Sequence, residues 1–516
     1  MTIEKLTPEN LPSNLDQCHA LLLLMQEREQ QKDQKIERLE HQLVQLLRQR
    51  YGQRADRINP DQLRLFEEML KATMAEQKAE TAPAVAVEAH TRRGHGRKPL
   101  PADLPRKRIE YTPDATDLTC ACCGKAKARI GEETSEQLEY VPSPLIVLVH
   151  VRGKYACPHC EGAGVQTAEK PQQPIEKGLP GPGLLAHVVT AKYADHLPLY
   201  RQEDILKRHG MEIPRSTTCG WMRMAADLLR PLVTAAATRV LQSKVIHTDD
   251  TPVKVQDEMR ERTREARFWV YVGDETHPYT VFDYTQNRKR DGPANFLGDF
   301  SGYLQADAYA GYDALYTNGK VTEVACWAHA RRKFTNAQST DAVRPVAALA
   351  YIRRLYDVER TTALMSAAER RQARQEKSLA ILIEFGTWLQ KAAIEALPRS
   401  PVGEALAYTL NNWKALTVYV EDGDLDIDNN AAERAVKPVA IGRKNWLFLG
   451  SDNGGRTAAV FFSLISTCRR HEIDPFVYLR DVIRRIASHP ANRIEELLPG
   501  QWIPQPDPIV LALAGK

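Results

Sequence analysis

The chain of 516 residues has no apolar run approaching the roughly 20 residues that a membrane-spanning helix requires. Its start at Met1 lacks the basic opening and apolar block of a secretory signal. Neither sign of charge dominates: 70 Lys and Arg stand against 66 Asp and Glu, a net charge of +4. These absences exclude a helical membrane protein, argue against export and leave no global surplus for gripping a polyanion. The expected location is cytoplasmic, where the nine cysteines are reduced thiols or metal ligands rather than disulfides. The length allows several domains, each with a core of its own.

What charge there is, is unevenly placed. Residues 92–108 hold seven Lys or Arg against a single acid, Asp103, a composition suited to a polyanion or to solvent. Within it Arg97 and Lys98 follow Arg92-Arg93-Gly-His-Gly, loosely like the arms that insert Arg into a DNA minor groove. The flanking 72–105, rich in Ala, Pro and charge, reads as a linker. Before it, Leu15, Cys18, Leu22, Met25, Ile36, Leu39, Leu43 and Leu46 keep heptad spacing, interrupted at Glu29 and Lys32. That pattern predicts a coiled coil, or an amphipathic helix packed on its own protein.

Two knuckles follow, Cys120-Ala-Cys122-Cys123-Gly124 and Cys157-Pro-His-Cys160. Cys120, Cys123, Cys157 and Cys160 repeat the same two-residue spacing, which suits four thiolates around a tetrahedral structural Zn2+. Cys122 and His159 are substitutes with poorer spacing. A strand is expected at 145–151 between the knuckles. Residues 182–240 read as helical, with a break at His209-Gly210 and an N-cap at Ser216 or Thr217. Helix, short turn and capped helix fit a helix-turn-helix reader of DNA, and fit plain helical packing equally.

Strand-like runs then occur at 244–248, 267–272 and 279–284. A helix or loop is expected around 287–298, then strands at 302–306 and 321–326. Three strands, a helix, a strand, a helix and a strand predict a mixed α/β sheet. Residues 336–422 carry long helical periodicity without strand signal and read as an insertion. Helix resumes at 429–436, capped by Asp428 or Asn429, and returns at 457–470 and 474–487.

Three acids stand out against this frame. Asp249 and Asp307 fall where strands are expected to end, and Glu433 sits on the resumed helix among Arg434, Lys437, Arg443 and Lys444. Phosphodiester cleavage needs an activated nucleophile, a stabilised leaving oxygen and neutralised phosphate charge. Two Mg2+ ions about 3.5–4 Å apart supply all three when carboxylates hold them. Asp250, beside Asp249, is the alternative first ligand, and each acid alone could be a turn or cap residue. His329, Arg331, Arg332 and Lys333 follow the fifth strand, where they could meet DNA phosphates. Trp327 and Phe334 supply anchoring that a purely exposed face would not need.

These motifs resemble, in one order and over nearly the whole length, the transposases of the insertion-sequence-66 family. The resemblance rests on the zipper-like start, the four-cysteine finger and KYADHLPLYRQ (192–202). It continues through HTDDTP (247–252), LQADAYAGY (304–312), CWAHARRKF (326–334), the 428–438 block, GSDNGG (450–455) and DPFVYLRD (474–481). One departure is Asp250, where the family usually has Glu. The resemblance implies a DDE transposase with a ribonuclease-H-like catalytic core and Asp249, Asp307 and Glu433 as the triad.

The expected fold is therefore multidomain α/β. A coiled coil (1–52) leads to a helix and basic Pro-rich linker (53–115), a zinc-ribbon-like finger (116–166) and a helical DNA-binding region (167–240). A ribonuclease-H-like mixed sheet core (241–335 and 425–471) is split by a helical insertion (336–424) and followed by a C-terminal helical region (472–516). Expected cofactors are two Mg2+ per site, with Mn2+ an alternative, and structural Zn2+. Expected partners are double-stranded DNA of element ends and target, a second copy through the coiled coil, and accessory proteins of the same element; no membrane is expected. A bacterial, nucleoid-associated location is implied. The rival readings are a non-catalytic DNA-binding or regulatory protein derived from a transposase, and a ribonuclease-H-like nuclease that cuts without joining.

Overall fold

The computed structural model describes residues 145–150, 154–155, 166–167, 173–176, 178–257, 262–317 and 319–507. The coiled coil, the linker with Arg97 and Lys98, and all four finger cysteines, Cys120, Cys123, Cys157 and Cys160, lie outside the described residues. The chain divides into two units. Of the unit spanning 54–150, the described part is 145–150. The strand expected at 145–151 is not formed there: residues 145–150 pair with no strand among the described residues, and Val147 and Val149 are 87% and 80% exposed. An alternating pattern makes a strand only when a neighbour takes up its hydrogen bonds.

In the other unit, β1 (Lys154–Tyr155) pairs antiparallel with β2 (Gln166–Thr167). This two-residue ladder brackets the stretch that carries Cys157 and Cys160. Then come α1 (Pro182–Tyr193), α2 (Leu199–Arg208) and α3 (Arg215–Val240). The predicted break is present, with Gly210 at φ +81°, a conformation glycine takes without strain. The predicted cap of α3 is not. Pro214 is the N-cap, without a side-chain bond, and Ser216 and Thr217 lie inside the first turn. Pro214, whose ring fixes its own φ and leaves it extended, is the last residue before the helix, which therefore begins at Arg215, ahead of Ser216 and Thr217.

The central sheet has strand order β5-β4-β3-β6-β7. β3 (Val245–Val255), β4 (Arg264–Val272) and β5 (Thr280–Thr285) form an antiparallel meander, while β6 (Gly302–Ala306) and β7 (Val321–Ala325) run parallel to β3. α4 (Asp291–Leu297) links β5 to β6, and α5 (Asp313–Tyr316) precedes β7. In β4, Phe268, Trp269, Val270 and Tyr271 are each fully buried. A strand covered on both faces reads as a continuous apolar run.

Past β7 come α6 (Trp327–Ala337) and the insertion helices α7 (Arg344–Thr362), α8 (Ala367–Ala373), α9 (Leu379–Glu395), α10 (Pro401–Asn411) and α11 (Trp413–Thr417). The insertion shares one apolar core with α6 and the β7 side of the sheet, including Val245, Val324, Trp327, Phe334 and Phe385. A second core joins the rest of the sheet to α1–α3 and to the helices after the insertion.

Those helices are α12 (Asn430–Trp446), α13 (Asp452–Arg470) and α14 (Pro475–Arg485). α12 runs ten residues beyond the predicted end, through Pro438, held by packing on β3 and β4. α13 covers the β5 edge: Ser463 and Thr467 hydroxyls accept the Phe282 and Thr280 backbone N–H at 2.8 and 3.1 Å. An edge strand is thereby closed to further pairing.

Candidate active site

Asp249 occupies the middle of β3, two residues past the last parallel pair, His247↔Gln305. The expectation of a strand end is corrected here. β3 runs on to Val255 because β4 keeps pairing with it, Val270 opposite Asp249. Asp307 directly follows β6, as expected. Its neighbour Ala308 has φ +59°, a left-handed conformation that costs a side-chain-bearing residue about 1–2 kcal/mol. Tyr309 donates its backbone N–H to Asp307 Oδ1 at 3.2 Å. Glu433 stands in the first turn of α12.

The three acids share one electrostatic environment. Burial, then the negative charges of Asp307, Asp250 and Glu433, raises the Asp249 carboxyl to about 7 despite a bond from the Asp250 backbone N–H. Glu433 Oε1 is buried without a hydrogen-bond partner, and His329 Nδ1, 3.7 Å away, is equally unpartnered. Arg332 comes within 3.7 Å of the same oxygen. His329 is held below its usual range by burial first and by Arg332 second, so its imidazole is neutral at pH 7.

Asp250 has the opposite surroundings. Successive strand residues point to opposite faces, and on its face Asp250 meets Arg267 at 2.9 Å and Arg288 at 2.7 Å, with its side chain 3% exposed. Two guanidiniums satisfy its oxygens, whereas no cationic side chain among the described residues pairs with Asp249. Arg288 also reaches Asp307 at 3.7 Å and lies over the Tyr309 ring at 4.0 Å. Neither Arg267 nor Arg288 was picked out from sequence. The available signal was the acid doublet itself, which obliges one member to find partners on the far face.

Asn429 aligns the elements. Its side chain donates to the Thr248 carbonyl at 2.8 Å, its Oδ1 meets His247 Nδ1 at 3.3 Å, and its backbone N–H reaches Cys326 Sγ at 3.1 Å. Gln305 of β6 donates to the Asp426 and Asp428 carbonyls. The start of α12 is thus fastened to β3, β6 and the head of α6. Asn429 is the N-cap residue, one of the two expected, but its side chain is engaged with the sheet and makes no cap bond, while Asp428 Oδ1 accepts the Asn430 backbone N–H at 3.1 Å. The insertion reaches the site through two tyrosines. Tyr408 donates to the Asp307 carbonyl at 3.3 Å and Tyr356 to Asp428 Oδ2 at 3.0 Å.

The basic residues separate into two groups. Arg443 donates to Thr251 Oγ1 at 2.8 Å and to the Pro252 carbonyl, tying α12 to β3 rather than facing outward. Arg434, Lys437 and Lys444 are exposed on α12. On α6, Arg331, Arg332 and Lys333 are exposed, with Arg331 over Tyr356 and Lys333 over Tyr408. Trp327 and Phe334 are fully buried, the anchoring expected of them.

Among the described residues, one group of three potential ligand atoms lies within 4.8 Å of one another: Cys326, His329 and Glu433. Burial pushes the Cys326 thiol up to about 11, and its sulfur already accepts from Asn429, which makes it a poor ligand. Asp249, Asp307 and Glu433 do not form so tight a group.

The profile described as "Transposase IS66 family" matches residues 177–457, which include all three acids. "Zinc-finger binding domain of transposase IS66" matches 117–161, "IS66 C-terminal element" matches 463–499, and "Transposase C of IS166 homeodomain" matches 38–109. Two similar proteins come from Sinorhizobium fredii (strain NBRC 101917 / NGR234). The uncharacterized protein y4hP is 34% identical over 90% of this chain and 88% of its own length. The uncharacterized protein y4qI is 34% identical over 93% and 91%. The chain belongs to the IS66 family of transposases.

Proposed function

We propose that this protein cleaves the ends of its mobile element by metal-dependent hydrolysis and joins the freed 3′ hydroxyl to target DNA. The observation that carries the reading is the mutual influence of Asp249, Asp307 and Glu433, with Asp249 raised to about 7 by burial and by the others' charge and with no cationic side chain paired with it among the described residues. The strand order β5-β4-β3-β6-β7, three strands antiparallel and two parallel, supports a ribonuclease-H-like core.

The donor set fits divalent cations. It consists of carboxylate oxygens, one of them a buried Glu433 oxygen without a hydrogen-bond partner among the described residues, and hard oxygen ligands suit Mg2+ or Mn2+. Asp249, Asp307 and Glu433 would hold two such ions. When bound, they neutralise phosphate charge and favour in-line attack. Arg288 keeps Asp250 out of the ligand set. Exposed Arg332, Arg434, Lys437 and Lys444 hold the phosphates on either side of the scissile bond, as Lys and Arg do for DNA backbones generally. In the first step water attacks phosphorus and the P–O3′ bond breaks, leaving a 3′ hydroxyl and a 5′ phosphate. In the second that hydroxyl attacks a target phosphorus and expels its 3′ oxygen.

Cys120, Cys123, Cys157 and Cys160 bind structural Zn2+ in this reading. The finger, the basic linker and the α2–α3 pair, whose Arg215, Ser216 and Thr217 are exposed, bind DNA. The N-terminal coiled coil pairs two copies, since two element ends must be held together, and accessory proteins of the element act beside them.

Cleavage of a duplex carrying the element end, in Mg2+, tests the proposal. Wild type should nick and then yield joined product, while Glu433→Gln should bind without cutting. Equal cutting by the mutant would remove Glu433 from the site. Nicking without joined product favours a nuclease, and binding without cutting by wild type favours a non-catalytic DNA-binding protein.

A further inference from the structure

At its C-terminal end, α12 breaks into a short tip that the catalytic reading does not use. Leu447 has φ +61°, a conformation that costs a leucine strain and is retained only where the surroundings enforce it. Its side chain is 64% exposed and that of Phe448 is 45% exposed. Two large apolar side chains at the surface would be unremarkable on a mobile loop, but this one is clamped on both sides. Leu447 N–H bonds back to the Arg443 carbonyl at 2.9 Å, and Leu449 bridges to β3 through Lys254 and Gln256, both at 2.8 Å. Arg443 itself is tied to Thr251. The tip is a fixed apolar prong.

The charge beside it identifies what it meets. Glu433, Lys437 and Lys444 stand at helical spacings of four and seven residues, on one side of α12. Lys437 and Lys444 are exposed, as is Arg434 a turn away from Lys437. A row of cations leading from the acid to an apolar prong complements a polyanion with apolar planes inside it, which is duplex DNA. Leu447 lies fourteen residues beyond Glu433, so the prong is about 20 Å along the helix from the acid. At about 3.4 Å per base pair this is about six base pairs.

We infer that Leu447 and Phe448 form a wedge that enters the element-end duplex about six base pairs from the scissile phosphate and unstacks one base step. The inference rests on the DNA-cleaving reading above. Wedges of this kind kink the duplex and let it follow a protein surface that straight DNA would leave. Here the kink carries the backbone along the Lys437–Lys444 row toward the acids.

The test uses the full chain carrying Glu433→Gln, so that the DNA stays intact. Element-end duplexes carry a single 2-aminopurine at successive positions from about two to about ten base pairs from the junction. Fluorescence is read at saturating protein, with saturation checked by mobility shift. A several-fold brightening confined to a step near position six is expected. It should disappear in Leu447→Ala/Phe448→Ala and return in Leu447→Ala/Phe448→Trp, which also shows that the tip variants fold. Brightening unchanged in the double-alanine variant, or absent at every position while the duplex is bound, overturns the wedge. In either case magnesium-dependent cutting by wild type would leave the proposed function standing. Failure of wild type to bind the duplex at all would overturn both.

Discussion

Asp249 and Asp250 are adjacent, chemically identical and oppositely placed, so they predict opposite behaviour. Asp250 neutralises Arg267 and Arg288. Asp250→Asn should lower stability by about 2–3 kcal/mol, less than a fully buried pair because Arg288 is 38% exposed, as read from a denaturant midpoint. Asp249→Asn should leave the fold intact and cut cleavage on the order of 10³-fold, the several kcal/mol that a metal site contributes. The same variant carries a pH signature. Asp249 is raised to about 7 in the folded protein without divalent cation, above its unfolded value. Folded chains therefore bind more protons than unfolded ones between about pH 4 and 7, and stability falls as pH rises through that window. Going from pH 5 to 8, wild type should lose on the order of 3 kcal/mol that Asp249→Asn does not lose. Identical slopes for the two proteins would contradict the burial assigned to this carboxyl.

At the scale of elements, α12 delivers both Glu433 and its cations, and its position depends on Asn429 more than on its own sequence. Asn429→Ala removes bonds to β3 and leaves the Thr248 carbonyl short of a donor in a buried place. A loss of about 1–3 kcal/mol is expected, with cleavage falling further than DNA binding, because Glu433 loses its alignment while Lys437 and Lys444 stay exposed. Unequal falls in a cutting assay and a mobility-shift assay would show this. The strands were legible from their short β-rich runs between turn residues, and 302–306 was read to the residue. The ends of β3 and α12 were not. β3 is lengthened by pairing with β4, and α12 is carried past Pro438 by packing on the sheet, so neither limit is a local property. The α3 cap was misread for a similar reason, since Ser216 and Thr217 have the right chemistry but Pro214 starts the helix before them.

Across the whole molecule, the insertion is part of the scaffold around the candidate site rather than an appendage. Its core is continuous with α6 and the β7 side of the sheet, and Tyr356 and Tyr408 extend from it to Asp428 and the Asp307 carbonyl. The finger makes a separate prediction. The purified chain should hold about one Zn2+, the content of a single four-thiolate site, and Cys157→Ser should lose it together with much of the DNA affinity. Metal analysis showing no zinc in a folded chain would remove that assignment.

The residue types and their order determined the family and the α/β alternation and suggested the chemistry proposed above, because carboxylates, paired cysteines and hydrophobic period are written locally. Which aspartate pairs with guanidiniums, which arginines stay exposed and which fasten helix to strand, and which acids feel one another's charge were decided only by the tertiary structure. Those outcomes depend on strand pairing and on partners such as Arg288 and Asn429, brought in from elements distant along the chain. Burial and charge act through space, and sequence separation carries no record of them.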